Sequence, residues 1–163
     1  SLVFAVEVIM HAPAAHLAHF MAAVSGVYIL DWLLFQWLCT FRVTTSQFTR
    51  YESGVQMRFK NPPGMKVFEG GYVSLNVPFI SKFEWHPFST FPHPEDPTWT
   101  CVSIAAVGAW TRALHDVTAR ETRRAVWIQG LHPSPFNRAT SYGNLILVAS
   151  GIGVTPCLGI IER

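Results

Sequence analysis

The chain has 163 residues, of which 50% are hydrophobic and 13% are charged, and twelve Lys and Arg against ten Asp and Glu leave a net charge of +2. A charged share about half that of an ordinary soluble domain argues against a disordered segment or a coiled coil, and so small a net charge excludes a nucleic-acid-binding protein. Three widely spaced cysteines without a CxxC pair indicate neither a disulfide framework nor a zinc site, and the length fits one domain with or without an attached element.

The chain begins with an apolar stretch, residues 2–10, that ends at His11-Ala12-Pro13. Nine residues are too few to span a bilayer, and a signal peptide is excluded because an initiating Met and a basic region are both missing. We expect this stretch to be the end of a membrane helix, with His11 near the membrane surface. His11 is then either an interfacial polar residue or a metal ligand.

The second apolar stretch, residues 17–37, reads LAHFMAAVSGVYILDWLLFQW, and no Lys or Arg precedes Arg42. Its length predicts a membrane-spanning helix, and Trp32 and Trp37 are typical of the membrane interface. Because Arg42 and Arg50 follow at once, the positive-inside rule predicts that the rest of the chain lies in the cytoplasm. A buried helix in a soluble fold is the alternative for this pattern.

After this helix the hydrophobic period changes to two, and runs of Val, Thr, Phe and Tyr alternate with Gly and Pro turns. The pattern predicts strands over residues 42–52, 54–60, 71–78, 83–91, 99–107 and 124–130. A short helix is predicted from Trp110 to Ala119, where apolar residues recur every three to four positions. Strands of this length and number favour a closed antiparallel barrel.

The end of the chain changes pattern again. Residues 144–149, NLILVA, are a continuous apolar run, which predicts a parallel strand buried on both faces. The glycine turn Ser150–Pro156 follows and opens a helix, with Pro156 in its first turn. A strand, Gly151 and Gly153, and a helix start are the parts of a phosphate cradle. A tight turn without a ligand is the alternative.

Several of these segments resemble the family of NADPH oxidases and ferric-chelate reductases. GGYVSLNVP (residues 70–78) and EWHPFS (84–89) resemble its flavin-binding barrel, and VGAWT (107–111) is similar to its VGDWT turn. SGIGVTP (150–156) resembles the GIGVTP turn of its nicotinamide domain, and VYILD (27–31) resembles the end of its last membrane helix. Their order and spacing also match.

The resemblance implies a mainly β fold in three parts. A membrane segment takes residues 1–41, a six-stranded antiparallel FAD-binding barrel takes 42–140, and the start of an α/β NADP-binding domain takes 141–163. We expect the chain to begin inside one membrane helix and to stop inside this last domain, and so not to oxidise NADPH by itself. In the full-length protein the resemblance implies several membrane helices, with the barrel on the cytoplasmic side.

The resemblance also implies a function. The protein would be a membrane-bound flavin-dependent oxidoreductase that moves electrons from NADPH through FAD, and through haem in the full-length protein, to O2 or a ferric chelate. The lipid bilayer is its expected partner. No catalytic side chain is expected, since the cofactors supply the chemistry.

The site residues follow from the same motifs. The resemblance places a strand against the flavin and its ribityl chain, with the hydroxyl of Ser89 near the reactive ring edge, and places glycine turns at phosphate groups. The implied cofactor-binding residues are His86, Pro87, Phe88, Ser89, Thr90, Gly130, Gly151, Gly153, Thr155 and Pro156. For His86 a barrel-rim histidine without a ligand is the alternative, Phe88 fits the core equally well, and Trp85 is expected in the core.

Haem ligation is implied for one residue. The stretch around His11 resembles the end of the family's fifth membrane helix, where a histidine is the second haem ligand. The partner histidines would lie outside this chain, so His11 alone is not expected to hold a haem. His16 and His19 match no ligand and are expected at the interface.

Three positions depart from the family pattern. Ala105 stands where an Arg would pair with the flavin diphosphate, Ala109 replaces the Asp of VGDWT, and residues 130–133, Gly-Leu-His-Pro, replace a diphosphate-binding turn. Arg112 and His132 are the candidate replacements. We therefore expect weak FAD binding, and a non-catalytic barrel that serves as an interaction or regulatory domain is the alternative function.

Overall fold

The computed structural model describes residues 14–118 and 121–161. The chain divides into two compact units, the first ending at Leu38 and the second beginning at Cys39. The first contains nearly all of helix α1 (Ala14–Cys39). Within it, the stretch from His16 to Cys39 is long and apolar enough to cross a membrane, with a mean hydropathy of 1.6, and none of its most apolar window is buried.

The second unit is a closed six-stranded barrel, as the period-two pattern predicts. Its strands follow the order β1-β2-β5-β4-β3-β6 around the barrel, and every neighbouring pair is antiparallel. The strands are β1 (Thr40–Tyr51), β2 (Gly54–Lys60), β3 (Tyr72–Asn76), β4 (His86–Pro92), β5 (Trp99–Ala105) and β6 (Glu121–His132).

Two strands differ clearly from their predicted bounds. Strand β6 is longer than residues 124–130, because its ladder with β1 already begins at Glu121, opposite Thr49. Strand β4 starts at His86, not at residue 83, because Asn76 holds the preceding loop in place. The buried side-chain amide of Asn76 donates to the carbonyls of Ser81 (3.2 Å) and Glu84 (2.8 Å). The chain therefore turns through residues 77–85 before β4 begins.

The barrel is filled by alternating side chains from its strands and closed at one end by a helix. Helix α2 (Ala109–Val117) inserts Trp110 and Leu114 into the core. Each large apolar side chain buried in this way stabilises the fold by about 1.5–3 kcal/mol. The largest fully buried ones are Phe48, Phe59, Met57, Leu75, Ile104, Leu114 and Ile128.

The chain after the barrel corrects one prediction. Residues 144–149 form no strand: Ile146 is 89% and Val148 is 92% exposed. A strand needs a neighbour for its backbone N–H and C=O groups, and no described residue pairs with this run. The expected helix does form, as α3 (Val154–Ile161), after a single 3₁₀ turn at Gly151–Gly153.

Helix α3 packs against the barrel through a glycine. The backbone N–H of Gly70 donates to the carbonyl of Gly159 (3.2 Å). A Cβ at Gly159 would lie 2.7 Å from the carbonyl oxygen of Thr90 and 3.0 Å from the backbone nitrogen of Gly70. Only a residue without a side chain allows this approach, so Gly159 fixes where α3 sits on β4.

Candidate functional site

The first four residues of β4 line an opening in the barrel wall. On one side, residues 86–89 pair with β3, from His86 opposite Leu75 to Ser89 opposite Tyr72. On the other side, the ladder with β5 covers only Thr90–Pro92. Between β4 and β5 the barrel is therefore open along 86–89. The backbone edge there is left for a ligand or for solvent.

His86 and Phe88 lie on one face of β4 and share a single neighbour. The imidazole of His86 lies against the indole of Trp110 at a centroid distance of 4.4 Å, with the two rings tilted by 40°, and the Phe88 ring stacks on the same indole at 6.0 Å. Residues two apart on a strand face the same side, which explains the shared contact. Phe88, expected as a flavin contact with the core as the alternative, packs against the core cluster but is only partly buried, so both interpretations stay open.

His86 also has a carboxylate beside it. Its Nε2 lies 3.4 Å from Oε2 of Glu84, and the two side chains are 36% and 56% exposed. A contact this exposed adds little stability. The neighbouring Trp85 is 38% exposed, so the prediction that it lies in the core is wrong. It belongs to the loop that Asn76 holds, outside the alternation of β4.

Trp110 is placed by the VGAWT turn. The backbone N–H of Gly108 donates to Oγ1 of Thr111 (2.8 Å), and the Thr111 hydroxyl donates to the Gly108 carbonyl (3.1 Å). This pair of bonds starts α2 one residue before Trp110 and fixes the direction of its side chain. Trp110 is only 8% exposed, and its indole nitrogen is buried with no hydrogen-bond partner in the described part of the chain.

Ser89 and Thr90 are the last of the expected flavin contacts on β4, and they differ in burial. Thr90 is buried, and its hydroxyl donates to the carbonyl of Gly71 (3.1 Å). Its side chain therefore serves the barrel. Ser89 is half-buried on the outer face, where the register aligns it with Tyr72 and, across β3, with His132. Pro87 is exposed on that same outer face.

An arginine follows closely after Ala105 in the chain. Ala105 ends β5 opposite Gly54, and it contributes only a methyl group. The guanidinium of Arg112 donates through NH1 to the carbonyl of Val107 (3.0 Å), two residues after Ala105. Arg112 is exposed and always charged. It therefore offers a positive group close to the position where the family pattern has its Arg.

His132, the other candidate replacement, is a weaker anion partner. Its ring packs against Tyr72 at a centroid distance of 5.0 Å, and burial lowers its pKa from the ordinary value of 6.5. It is therefore neutral at physiological pH. Gly130, two residues before it, has a φ of +89°, and a Cβ there would lie 2.5 Å from the His132 ring. Gly130 therefore lies inside β6, at the irregularity of its ladder with β3, and not in the turn that the family pattern predicts for residues 130–133.

The glycine turn before α3 faces a second opening. Residues of β2, β5 and this turn together line an open cleft of about 500 Å³ that includes Ala105, Gly151 and Thr155. Thr155 is buried, and its hydroxyl oxygen has no hydrogen-bond partner among the described residues. Gly151 has a φ of +54°, while Gly153 has open space around it. Pro156 lies in the first turn of α3, as expected from its fixed φ.

Sequence reasoning missed two residues of this arrangement. For Trp110 the pattern predicts only the start of a helix, and its contact with His86 joins two segments that are distant in sequence. Gly159 carries no motif, although a glycine inside a helical pattern is a recognised signal of close packing. His11 lies outside the described residues, while His16 and His19 lie on α1.

The barrel, the opening at 86–89 and the turn at Gly108 all lie within residues that match a family of flavin-binding domains. A family profile described as "FAD-binding domain" matches residues 40–145, more than half of the chain. The chain belongs to this family of FAD-binding domains.

Proteins similar to this chain include NADPH oxidases and their homologues. The chain is 37% identical over 111 residues to a superoxide-generating NADPH oxidase heavy chain of Dictyostelium discoideum, covering 58% of this chain and 16% of that protein. It is 30% identical over 122 residues to "Putative respiratory burst oxidase homolog protein G" of Arabidopsis thaliana (65% and 14%). It is 27% identical over 144 residues to "NADPH oxidase 3" of Homo sapiens (83% and 25%). The chain spans a quarter or less of the length of these relatives.

Proposed function

We propose that this chain is part of a membrane-bound flavoprotein that moves electrons from NADPH through FAD to O2. The observation that carries the proposal is the match of the barrel to the FAD-binding domain family, together with the opening between β4 and β5. The name of the Dictyostelium relative includes superoxide generation by an NADPH oxidase, which supports NADPH as donor and O2 as acceptor. A ferric chelate is the other acceptor we propose, and haem would lie on the route in the full-length protein.

The residues at the opening fit a flavin. A flavin needs an apolar contact for its ring, donors for its ribityl and carbonyl oxygens, and positive charge for its diphosphate. Phe88 offers the apolar contact and His86 and Ser89 offer polar groups, while the guanidinium of Arg112 is bonded to the carbonyl two residues after Ala105. The buried indole N–H of Trp110, beside His86 and Phe88, lacks an acceptor among the described residues.

Each side chain then has a physical task. A bound FAD would supply the electron-transfer chemistry, and the side chains at the opening would hold it. His86 and Phe88 orient the cofactor from the β4 face, and Ser89 directs its hydroxyl to the outer face. Pro87 stiffens the start of the strand, and Thr90 anchors it to Gly71.

We further propose that the turn at Gly151, Gly153, Thr155 and Pro156 receives NADPH. The start of α3 offers backbone N–H groups and the positive end of its dipole, and the glycines allow a phosphate to come close. The buried hydroxyl of Thr155 lines the same cleft. Gly130 would support the flavin diphosphate only through the irregularity that it introduces into β6.

A three-part organisation remains our proposal for the domains, with a membrane segment at 1–41, the FAD barrel at 42–140 and the NADP-binding start at 141–163. Helix α1 supports a membrane span by length and composition. We propose that the barrel lies on the cytoplasmic side and that the full-length protein is multi-pass, with His11 as one haem ligand. Glycosylation sites introduced before Ala14 and after Arg138 test the orientation: only the first is expected to be modified in microsomes.

FAD titration tests the flavin site. The chain in detergent micelles is expected to bind FAD and to show a protein-bound flavin spectrum. His86→Ala should weaken binding by about tenfold, whereas His93→Ala, in the loop after β4, should leave the Kd unchanged. Ala105→Arg should tighten binding by about ten- to a hundredfold, because a charge-assisted hydrogen bond contributes about 1.5–3 kcal/mol.

Two departures from the family pattern favour the alternative function, namely Ala105 and the sequence of residues 130–133. Ala105 removes the expected diphosphate partner, as a barrel that had lost its flavin would allow. In that case the chain would stay colourless at saturating FAD, and neither His86→Ala nor Ala105→Arg would change anything measurable. The barrel would then serve as an interaction or regulatory domain.

A further inference from the structure

The indole N–H of Trp110 is an unusual group in this fold. Trp110 is more than nine-tenths buried, and its nitrogen is shielded from solvent with no acceptor in hydrogen-bond distance among the described residues. Roughly 90% or more of buried polar groups in native proteins have a partner, and leaving one unmade costs about 1–3 kcal/mol. An unmet donor inside an otherwise well-packed barrel indicates that its acceptor comes from a ligand.

The surroundings of the indole N–H indicate which ligand can supply its acceptor. The indole lies against the rings of His86 and Phe88, at centroid distances of 4.4 and 6.0 Å. These two side chains begin β4, at the level where the ladder to β5 is open. His86, with 36% of its side chain exposed, and Phe88 are both partly accessible, whereas Trp110 is buried. For a hydrogen bond to the indole N–H, a ligand in the opening has to shift the His86 imidazole and so come within reach of the indole.

We propose that Trp110 is a flavin-binding residue whose indole N–H donates a hydrogen bond to an oxygen of the bound FAD. This inference rests on the proposed flavin site at residues 86–89 and adds a donor from α2 to it. The flavin ring and ribityl chain are rich in carbonyl and hydroxyl oxygens, so they supply the acceptor that the described residues lack. The Gly108–Thr111 bonds that begin α2 hold the donor in place.

Replacement of Trp110 by phenylalanine separates the contribution of the indole N–H from that of the aromatic surface. Trp110→Phe keeps an aromatic surface under His86 and Phe88 and removes only the donor and the second ring. The FAD-free variant should unfold at nearly the wild-type temperature, whereas its Kd for FAD should rise about tenfold, equivalent to about 1.4 kcal/mol. The matched control is Trp99→Phe. Trp99 begins β5, at the end of the strand far from α2, and the Kd of this variant should not change.

Each outcome of this titration is decisive. If Trp110→Phe binds FAD with the wild-type Kd, the inference is wrong while the flavin site itself stands. If the wild-type chain takes up no FAD, both the flavin site and the inference are wrong. These two failures are distinguished by the wild-type titration alone.

A second measurement needs no change at residue 110. Tryptophan labelled with ¹⁵N in the indole gives one N–H signal per side chain, and the signal of Trp110 is assigned by replacing the other tryptophans one at a time. On addition of FAD this signal should move downfield, as a newly hydrogen-bonded proton does, and the signal of Trp99 should stay. A Trp110 signal that stays or moves upfield at saturating FAD contradicts the proposal.

Discussion

The two cofactor motifs of this chain are built in different ways. Residues 86–89 belong to a strand that is paired with β3 along one edge and backed by the buried Trp110. The turn at Gly151–Gly153 follows a run of exposed residues for which the described chain provides no ladder partner, and α3 behind it is packed against the barrel through Gly159. The first motif is therefore positioned by the barrel itself, and the second by one helix.

The largest expected effect is a difference in unfolding free energy between a substitution in the barrel core and one in residues 144–149. Phe48→Ala removes a fully buried ring from the core and should lower the free energy of unfolding by about 3–5 kcal/mol. Ile146→Ala, on the exposed run, should change it by less than about 0.5 kcal/mol. Chemical denaturation of both variants measures this. Equal losses would mean that residues 144–149 are packed as tightly as the core.

The next effect tests the contact that holds the turn. Gly159→Ala places a Cβ 2.7 Å from the Thr90 carbonyl oxygen, so α3 should loosen from the barrel at a cost of about 1–3 kcal/mol. Hydrogen exchange should rise in α3 and stay slow in β2 and β5. Gly153→Ala is the control, since no described atom lies within 4 Å of its added Cβ. Unchanged exchange in α3 would show that Gly159 is not the residue that positions it.

A smaller effect concerns the charge near the barrel opening. Arg112→Gln keeps a side chain able to donate to the Val107 carbonyl but removes the cation. Because Arg112 is exposed, we expect FAD to bind only about three- to tenfold more weakly, equivalent to about 0.7–1.4 kcal/mol. Arg138→Gln, on the 3₁₀ helix Pro135–Ser141, is the control. A Kd unaffected by Arg112→Gln would remove it as the substitute for the missing Arg.

The smallest effect is a pH dependence at the end of β6. Burial lowers the pKa of His132, so the unfolded chain, with an ordinary pKa of 6.5, takes up this proton first as the pH falls. The contribution of His132 to stability is therefore fully present above about pH 6.5 and is lost as the pH falls through the lower pKa of the folded chain. The melting temperature of the wild type should therefore fall relative to that of His132→Gln as the pH is lowered from 8 into acid. If the difference between the two melting temperatures stays constant from pH 8 into acid, the lowered pKa of His132 is contradicted.

Much of the fold was predictable because it rests on local periodicity. The β2 bounds and the six-stranded closed barrel follow from alternation between turn residues, and the Gly108–Thr111 segment carries its own helix-start signal. The exposed Trp85 and the late start of β4 were not predictable, because they depend on one amide, Asn76, reaching two carbonyls several residues away.

The site was predictable only as a motif. His86 and Ser89 stand in one short segment of the sequence, but the fact that they face opposite sides of β4 required the register with β3. The contact between Trp110 and His86 is a tertiary one, since β5 and the Gly108 turn separate the two residues. A continuous apolar run such as 144–149 predicts a buried strand only where neighbouring strands exist to pair with it.

The incomplete ladder between β4 and β5 has a consequence for solubility. An unpaired strand edge is a template for another copy of the chain, and sheets joined edge to edge are the first step of aggregation. Pro87 stands in the middle of this edge, and a proline offers no N–H to an incoming strand. The residue that shapes the binding motif therefore also makes the empty barrel a poor partner for self-association.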